Sequence, residues 1–205
     1  MAPPTGRGRN RGLRTLSGGP GTSAGEPLGR PLFLRKSFPT GPLSRGMPQR
    51  FVTREKAKVD RIACPWVIRR FVDPLAEFVF VPGDKVLETA SLTGAIPFDV
   101  PGTELSHYQE ADGSERVTFD AVIRKYHLTD PALLDLAEIV RGADATLEHP
   151  RPESAGLEAL ALGFRALSRD DHDNMSRQFP AYDALYAYCQ ARLKGGSRLE
   201  HSVPK

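Results

Sequence analysis

Residues 58–71 have the sequence KVDRIACPWVIRRF and lie between two short β-type segments, residues 51–54 and Glu77–Val81. An aspartate ahead of a run of apolar residues at helical spacing is typical of an N-cap, so we predict a helix over residues 61–71 that Asp60 caps. The flanking segments are rich in Phe and Val, and such composition between turn residues favours strands. This part of the chain is therefore predicted to contain a strand, a helix and a second strand.

Helical patterns dominate the rest of the chain as far as residue 194. Within residues 154–168, Leu157, Leu160, Phe164 and Leu167 recur at helical spacing, so we expect all four on one buried face. A short polar helix is expected over residues 170–178, and Pro180 is expected to open a separate last helix. Together these patterns predict an α+β fold: a single, predominantly α-helical domain with about three short β-strands, the third near residues 104–108.

The first 50 residues differ sharply from the remaining chain in composition. They hold nine Lys or Arg and one acidic residue, Glu26, with 10 of the 19 glycines and 8 of the 18 prolines. Such a segment has too little apolar surface to offset its chain entropy. We therefore expect a disordered basic leader over residues 1–50, a domain over 51–194 and a flexible tail over 195–205. The leader could be a transit-like segment or a weak nucleic-acid-binding segment. It could also have no function, and Met47 could then be the true start of the protein.

Composition and missing motifs exclude several classes of protein. The two cysteines, Cys64 and Cys189, cannot make a disulfide-rich scaffold and suit a reducing cytoplasm. No run approaches 18 apolar residues, so no membrane-spanning helix is expected. Neither the Rossmann nor the P-loop glycine pattern occurs, so no nucleotide cofactor is expected.

The first group of candidate functional side chains lies at the helix predicted over residues 61–71. Asp60 and Cys64 are one helical turn apart on the same face, and a buried carboxylate needs backbone N–H groups, an arginine or a metal as its partner. We expect Asp60, Cys64 and His107 to line one pocket with Arg61 at its rim, and Glu104 could join them. Oxygen, sulfur and nitrogen donors together favour zinc or iron. A helix cap, a packed core thiol and a surface imidazole would explain the same residues.

A second candidate cluster is Asp170, Asp171 and His172. Two carboxylates and an imidazole suit manganese, iron or zinc. Adjacent residues of a helix point about 100° apart, so all three cannot face one ion. The alternative is a solvated helix start with Asp170 as its N-cap.

Residues 58–71 also resemble the signature of the chromate resistance family, the C-terminal domain of ChrB-type proteins. Further matches follow in the family's order and extend the resemblance over residues 51 to about 193. They lie at residues 94–99, 104–107, 118–120, 139–144, 155–157, 170–172 and 182–187. The residues of this signature that we expect to be structural are Trp66, Arg69, Tyr182 and Tyr186, with Trp66 in the interior. The family often has a cysteine where this chain has Val117.

The resemblance implies a chromate-resistance accessory or regulatory protein that senses or handles an oxyanion or a metal ion in the cytoplasm. Chromate or a related oxyanion is then an expected partner, and zinc, iron or manganese an expected cofactor. Some family members carry an added N-terminal domain linked to regulation, and without one, direct DNA binding is not expected. The alternative is a metal- or thiol-dependent redox enzyme acting on chromate or its oxidative by-products. The sequence leaves open whether the protein is an enzyme and which oligomer it forms.

Overall fold

The structure is a computed structural model that describes residues 47–195. These residues form an α+β domain in which helix predominates, as the sequence predicts. The predicted leader, apart from residues 47–50, and the predicted tail beyond Gly195 lie outside the described residues. In the described part of the chain, no helix is both long and apolar enough to cross a membrane.

A small parallel sheet organises the N-terminal half of the domain. Its strands lie in the order β2-β1-β3 and are β1 (Arg50–Arg54), β2 (Glu77–Val81) and β3 (Ile96–Pro97). Helix α1 (Asp60–Val67), which continues as a π-helical turn over Ile68–Val72, connects β1 to β2. A 3-10 turn (Gly83–Lys85) and helix α2 (Val86–Thr93) connect β2 to β3. Both predicted strands, and a helix between them, are therefore present.

The two connections lie on opposite faces of this sheet. Successive side chains of β1 point to opposite faces, so Phe51 joins the main core with α1 while Val52 packs with Val86 and Ala95 beside α2. The chain therefore leaves β1 in one direction to reach β2, and reaches β3 on the other side of β1. In open parallel sheets, this reversal creates a crevice outside the carboxyl ends of the strands, where ligands commonly bind.

A helical layer completes the main core. It consists of α3 (Thr118–Lys125), α4 (Pro131–Asp144), α5 (Pro152–Leu167) and α6 (Asp171–Leu193). A short antiparallel hairpin of β4 (Tyr108–Gln109) and β5 (Glu115–Arg116) precedes α3. Trp66 is fully buried, as predicted, and its ring contacts those of Phe71, Tyr182 and Tyr186. Its indole Nε1 donates a hydrogen bond of 2.7 Å to Asp183.

Several local predictions are wrong. Asp60 is the first residue of α1 rather than its N-cap, since Val59 holds the cap position and the Asp60 carboxylate points to another helix. The two helices predicted around Pro180 are one continuous helix, α6, because Phe179 and Tyr182 on either side of the proline both pack into the core. Of the strand predicted at residues 104–108, only Tyr108 lies in a strand.

The prediction for α5 also fails in part. Leu157 is buried, but Leu160 is 50% exposed and Leu167 is 72% exposed. Ser154 and Ala161 complete the buried face instead. The buried stripe is thus narrower than the leucine pattern predicts, and apolar side chains cover much of the outer surface of the helix.

Candidate functional site

The candidate site lies at the carboxyl edge of the parallel sheet, where the chain direction reverses between β1 and β3. Arg54 is the last residue of β1, Asp99 follows β3 by two residues, and Asp60 opens α1. His107 reaches the same place from the loop before β4. Residues 54–60 and residues 99–107, two stretches that are distant in sequence, therefore deliver polar side chains to the crevice that this topology creates.

Asp60 is buried, with 2% of its surface exposed, and it caps the neighbouring helix α3. Its two carboxylate oxygens accept hydrogen bonds of 2.6 Å from the backbone N–H of Thr118 and 3.0 Å from that of Phe119. These N–H groups open α3 and have no partner within it, and the helix dipole favours an anion there. Burial nevertheless raises the pKa of Asp60 to about 6, with further contributions from nearby carboxylates that the His107 contact opposes.

Asp99 joins the two arginines of the site. Its Oδ2 accepts a hydrogen bond of 3.0 Å from Arg54 and lies 3.2 Å from the Arg61 Nε, while its Oδ1 accepts one of 3.1 Å from the Thr118 hydroxyl. The backbone of Asp99 has a φ of +55°, a conformation that Asn and Asp adopt more readily than other non-glycine residues. This turn directs the carboxylate back over the end of the sheet.

His107 is the point at which the acidic residues converge. Its Nε2 lies 3.5 Å from Asp60 Oδ2, 3.6 Å from Asp99 Oδ1 and 3.5 Å from Asp144 Oδ2. Its Nδ1 lies 3.6 Å from Glu115 Oε1 in β5. The carboxylates of Asp144 and Asp60 raise the pKa of His107 to about 10, because they stabilise the imidazolium. The imidazolium offsets part of the negative charge of these carboxylates.

Asp144 ends α4 and closes the site from the helical layer. Its Oδ1 accepts a hydrogen bond of 3.3 Å from the backbone N–H of Asp60, which leaves Oδ2 facing His107. The carboxylate thus holds the start of α1 against the end of α4. It also adds a third negative charge around the imidazole.

Asp60, Asp99 and His107 are the residues that could hold a metal ion here. Each offers one ligand atom, and these atoms lie within 4.8 Å of one another. Two ligand atoms bound to a tetrahedral ion at about 2.1 Å are about 3.4 Å apart, close to the separations between His107 Nε2 and the carboxylate oxygens. The same separations exceed the usual N–H···O hydrogen-bond distance of about 2.9 Å. We call these three residues the Asp60–Asp99–His107 centre.

Cys64 lies behind this centre rather than in it. The thiol is fully buried and donates to Asp60 Oδ1 over 3.7 Å. Burial, together with the neighbouring Asp60, raises the pKa of Cys64 well above its usual range, so the side chain is a neutral thiol. The neutral form is neither the nucleophile nor the usual metal ligand.

The other candidate residues are not members of the centre, and only Arg61 contacts it. Arg61 is at the rim through its pair with Asp99, whereas Glu104 is exposed and pairs with Lys125.

Asp170 caps α6 by accepting a hydrogen bond from the Asp173 N–H, as the alternative interpretation of the second candidate cluster holds. Asp171 accepts hydrogen bonds of 2.8 and 2.7 Å from the N–H groups of Lys56 and Ala57. His172 packs edge-on against Phe80. Asp170, Asp171 and His172 line one cavity at the start of α6, but their ligand atoms do not form a close metal-type group.

The expected structural residues hold the core together. The Arg69 Nε donates to the carbonyl of Ala76 over 3.1 Å, and the Arg69 guanidinium lies over the Phe78 ring. The buried Tyr182 hydroxyl donates to the Val59 carbonyl at 3.0 Å, which ties α6 to the residue before α1. Tyr186 is buried against Trp66.

Asp99 and Asp144 belong to the site although the sequence alone predicts no site role for them. Both lie in segments that match the family, residues 94–99 and 139–144, and the place of Asp144 beside His107 depends on how α4 packs against α1. Asp99 follows Ile96-Pro97, a strand of two residues that is too short to show a periodic pattern. Recognising that strand as the third of a parallel set would have placed Asp99 at the carboxyl edge.

A cavity opens beside the centre. It has a volume of about 340 Å³, and its lining includes Arg54, Asp99, Ser106 and His107. The loop over residues 100–102 forms another part of its wall. A small ligand in this cavity would contact the exposed edge of His107 and the half-exposed Arg54 guanidinium.

Comparison with known proteins assigns this chain to a family. A family model described as "ChrB, C-terminal domain" matches residues 51–189. The chain is 29% identical over 173 residues to Protein ChrB of Cupriavidus metallidurans, and the match covers 84% of this chain and 49% of that protein. The chain thus spans about half the length of this curated relative. No solved structure gives a significant match.

Proposed function

The chain belongs to the ChrB C-terminal domain family, as its sequence resemblance predicts, and we propose that it is a chromate-resistance protein that senses or handles a transition-metal ion at the Asp60–Asp99–His107 centre. The observation that carries this proposal is the convergence of three carboxylates on His107 Nε2 at 3.5–3.6 Å. We expect the protein to act in the cytoplasm, where its two cysteines would remain reduced.

The electrostatics of the centre favour a cation over an oxyanion. Chromate is a dianion, and at the centre it would face the carboxylates of Asp60, Asp99 and Asp144. The nearby arginines do not offset this charge freely, because both already pair with Asp99. A divalent cation would instead replace the proton that His107 holds and would bring the carboxylates together. Two carboxylate oxygens and one imidazole nitrogen suit zinc, iron or manganese.

An oxyanion role is a second candidate because of the adjoining cavity. Arg54 lines this cavity and is 47% exposed, so its guanidinium is open to a ligand on one side while it holds Asp99 on the other. Guanidinium donors are well suited to tetrahedral oxyanions. An anion here would be next to the centre rather than at it.

The alternative function is that of a redox enzyme, which could be thiol-dependent or metal-dependent. The structure bears only on the thiol-dependent version. A thiol-dependent reaction needs an accessible thiolate, whereas Cys64 is buried and its pKa is raised. A metal-dependent reaction would use the same centre with iron or manganese. Reduction of chromate by the metal-loaded protein would support that version.

The test is metal binding by the full chain, read beside chromate binding at fixed pH. Metal content after purification and calorimetric titration with Zn²⁺, Mn²⁺ and anaerobic Fe²⁺ give stoichiometry and affinity. We expect about one ion per chain, with affinity reduced at least about 10-fold in Asp99→Asn and in His107→Ala. Glu104→Gln is the matched control, since it removes a carboxylate from the nearby loop but outside the centre.

Two results would count against the proposal. One is a full chain that binds none of the three metals; the other is equal metal affinity in the wild type and in Asp99→Asn. Chromate binding to the metal-free protein that is lost in Arg54→Gln would instead favour the oxyanion role.

A further inference from the structure

Helix α5 has an outer surface that is unusual for a helix exposed to solvent. Only Ser154, Leu157 and Ala161 are buried, and beyond the first turn the only charged residues are Glu158 and Arg165. A surface helix normally carries polar residues opposite its buried stripe. Here the exposed side chains are mostly apolar or small, including three leucines that are 47–72% exposed: Leu160, Leu162 and Leu167.

Four exposed residues form a seam along this surface. Ala155, Ala159, Leu162 and Ala166 follow one another at intervals of four, three and four residues. This is the a/d spacing with which two helices pack side by side, and alanine side chains let helix axes approach closely. We call these four residues the outer face of α5. Gly156 and Gly163 lie along one side of it, with open space where a Cβ would be.

Glu158 and Arg165 lie along the other side of this face, one acidic and one basic. Two copies of the helix can therefore pair the acidic residue of each with the basic residue of the other. Glu158 and Arg165 occupy equivalent positions one heptad apart, about 10.5 Å along the axis, which is too far for a direct pair within one helix. Within residues 47–195, neither side chain has an ion pair. Pairing Glu158 with Arg165 therefore requires a second copy of the chain.

We propose that the outer face of α5 is the interface of a homodimer, in which α5 packs antiparallel against α5 of a second copy around a two-fold axis. With Ala159 opposite Leu162 of the second copy, Ala155 lies opposite Ala166. The same register puts Glu158 beside Arg165 of the second copy, and the two-fold axis repeats every contact. A parallel pair would place Glu158 beside the glycine flank, so the charges select the antiparallel arrangement.

The proposed dimer should form more readily at high protein concentration and at low salt. A single helix pair makes a small interface, at the low end of specific contacts, so dimerisation is expected at roughly micromolar or higher concentrations. The two charge pairs lie at the edge of the seam and are exposed to solvent, so high salt weakens the dimer.

Sedimentation velocity of the full chain over a range of concentrations, at low salt, tests the proposal. Glu158→Arg and Arg165→Glu each place like charges together twice, and each is expected to weaken dimerisation about 10-fold. The double variant, Glu158→Arg with Arg165→Glu, restores both pairs in reversed order and should regain the wild-type affinity. Both side chains are exposed, so none of these changes should unfold the protomer.

A seam substitution and its control complete the test. Leu162→Lys should abolish the dimer, whereas Leu92→Lys, which replaces a leucine of α2 that is 78% exposed, should leave it unchanged. A monomer at all concentrations would overturn the proposal. A dimer whose affinity is the same in both single charge variants and in Leu162→Lys would overturn it as well, because it would place the interface elsewhere.

Discussion

Asp60 shows how one buried side chain can serve both the fold and the site. Burying an unpaired carboxylate is costly, but two backbone N–H groups at the start of α3 satisfy its oxygens. The lone pairs that remain face His107 across 3.5 Å. Because the fold already fixes Asp60, a metal ion would meet a ligand that needs no reorientation. The sequence predicts that Asp60 needs such a partner, but not that the partner is α3.

His107 should make the stability of the metal-free protein depend on alkaline pH. Its folded-state pKa of about 10 lies above the unfolded value of 6.5, so its stabilising contribution is complete below pH 6.5 and is lost as pH rises through 10. We expect urea unfolding in EDTA to show roughly 1–2 kcal/mol of such loss, which allows for solvent screening of a half-exposed side chain. The matched control is His107→Gln, whose stability should vary less over this range. Equal slopes in both proteins would contradict the assignment.

Trp66 shows how much a single core residue contributes to the stability of the domain. Trp66→Ala is expected to lower the free energy of unfolding by roughly 3–5 kcal/mol, because it leaves a cavity among Phe71, Tyr182 and Tyr186. Trp66→Phe keeps most of the packing and should cost only about 1–2 kcal/mol, since Asp183 retains its pair with Arg70. Chemical denaturation measures both. Similar losses in the two variants would show that the hydrogen bond, rather than packing, is the main contribution.

At the scale of elements, helix contacts depend on details that periodicity does not reveal. The pattern of leucines in α5 predicts a broad buried face, but α4 approaches α5 through small residues. Gly142 of α4 lies against Ser154 of α5, and the Ser154 hydroxyl donates to the Ile139 carbonyl at 2.8 Å. This close approach buries the Ser154 side of α5 and leaves Leu160 and Leu167 outside.

Gly142→Ala should therefore destabilise the α4–α5 contact, although alanine normally favours a helix over glycine. A Cβ at this position would lie 2.5 Å from Ser154 Oγ and 3.0 Å from Pro150 Cβ. We expect a loss of roughly 1–3 kcal/mol in urea denaturation of dilute protein. Gly163→Ala, in α5 and with open space around it, is the control and should gain about 0.5–1 kcal/mol. A higher free energy of unfolding in both variants would contradict this prediction, because it would show that α4 and α5 shift apart to accommodate the added methyl group.

At the scale of the whole molecule, the domain is expected to fold without its basic leader. Residues 1–46 are rich in Gly, Pro and Arg and have too few apolar residues for a core. A chain that starts at Met47 should have the same thermal melting temperature as the full chain, by circular dichroism at matched pH and salt. A melting temperature lower by several degrees would show that the leader stabilises the domain.

The predictable parts of this protein are those that local sequence specifies. The strand at residues 51–54, the strand Glu77–Val81 and the buried Trp66 follow from composition and spacing, and the overall class follows from the balance of helical patterns. The centre does not follow, because its members come from the start of α1, the turn after β3 and the loop before β4, and these segments meet only through the order of the strands. Asp99 after a two-residue strand and Asp144 at the end of α4 carry no local pattern that points to His107.

Anomalous diffraction from crystals of the metal-loaded full chain, collected at the absorption edge of the bound metal, tests the central claim most directly. We predict one strong peak about 2.0–2.3 Å from His107 Nε2 and from one carboxylate oxygen each of Asp60 and Asp99. Crystals of His107→Ala should lack this peak. A peak elsewhere in the molecule, or none at this centre when the protein in solution holds one ion per chain, would contradict the account.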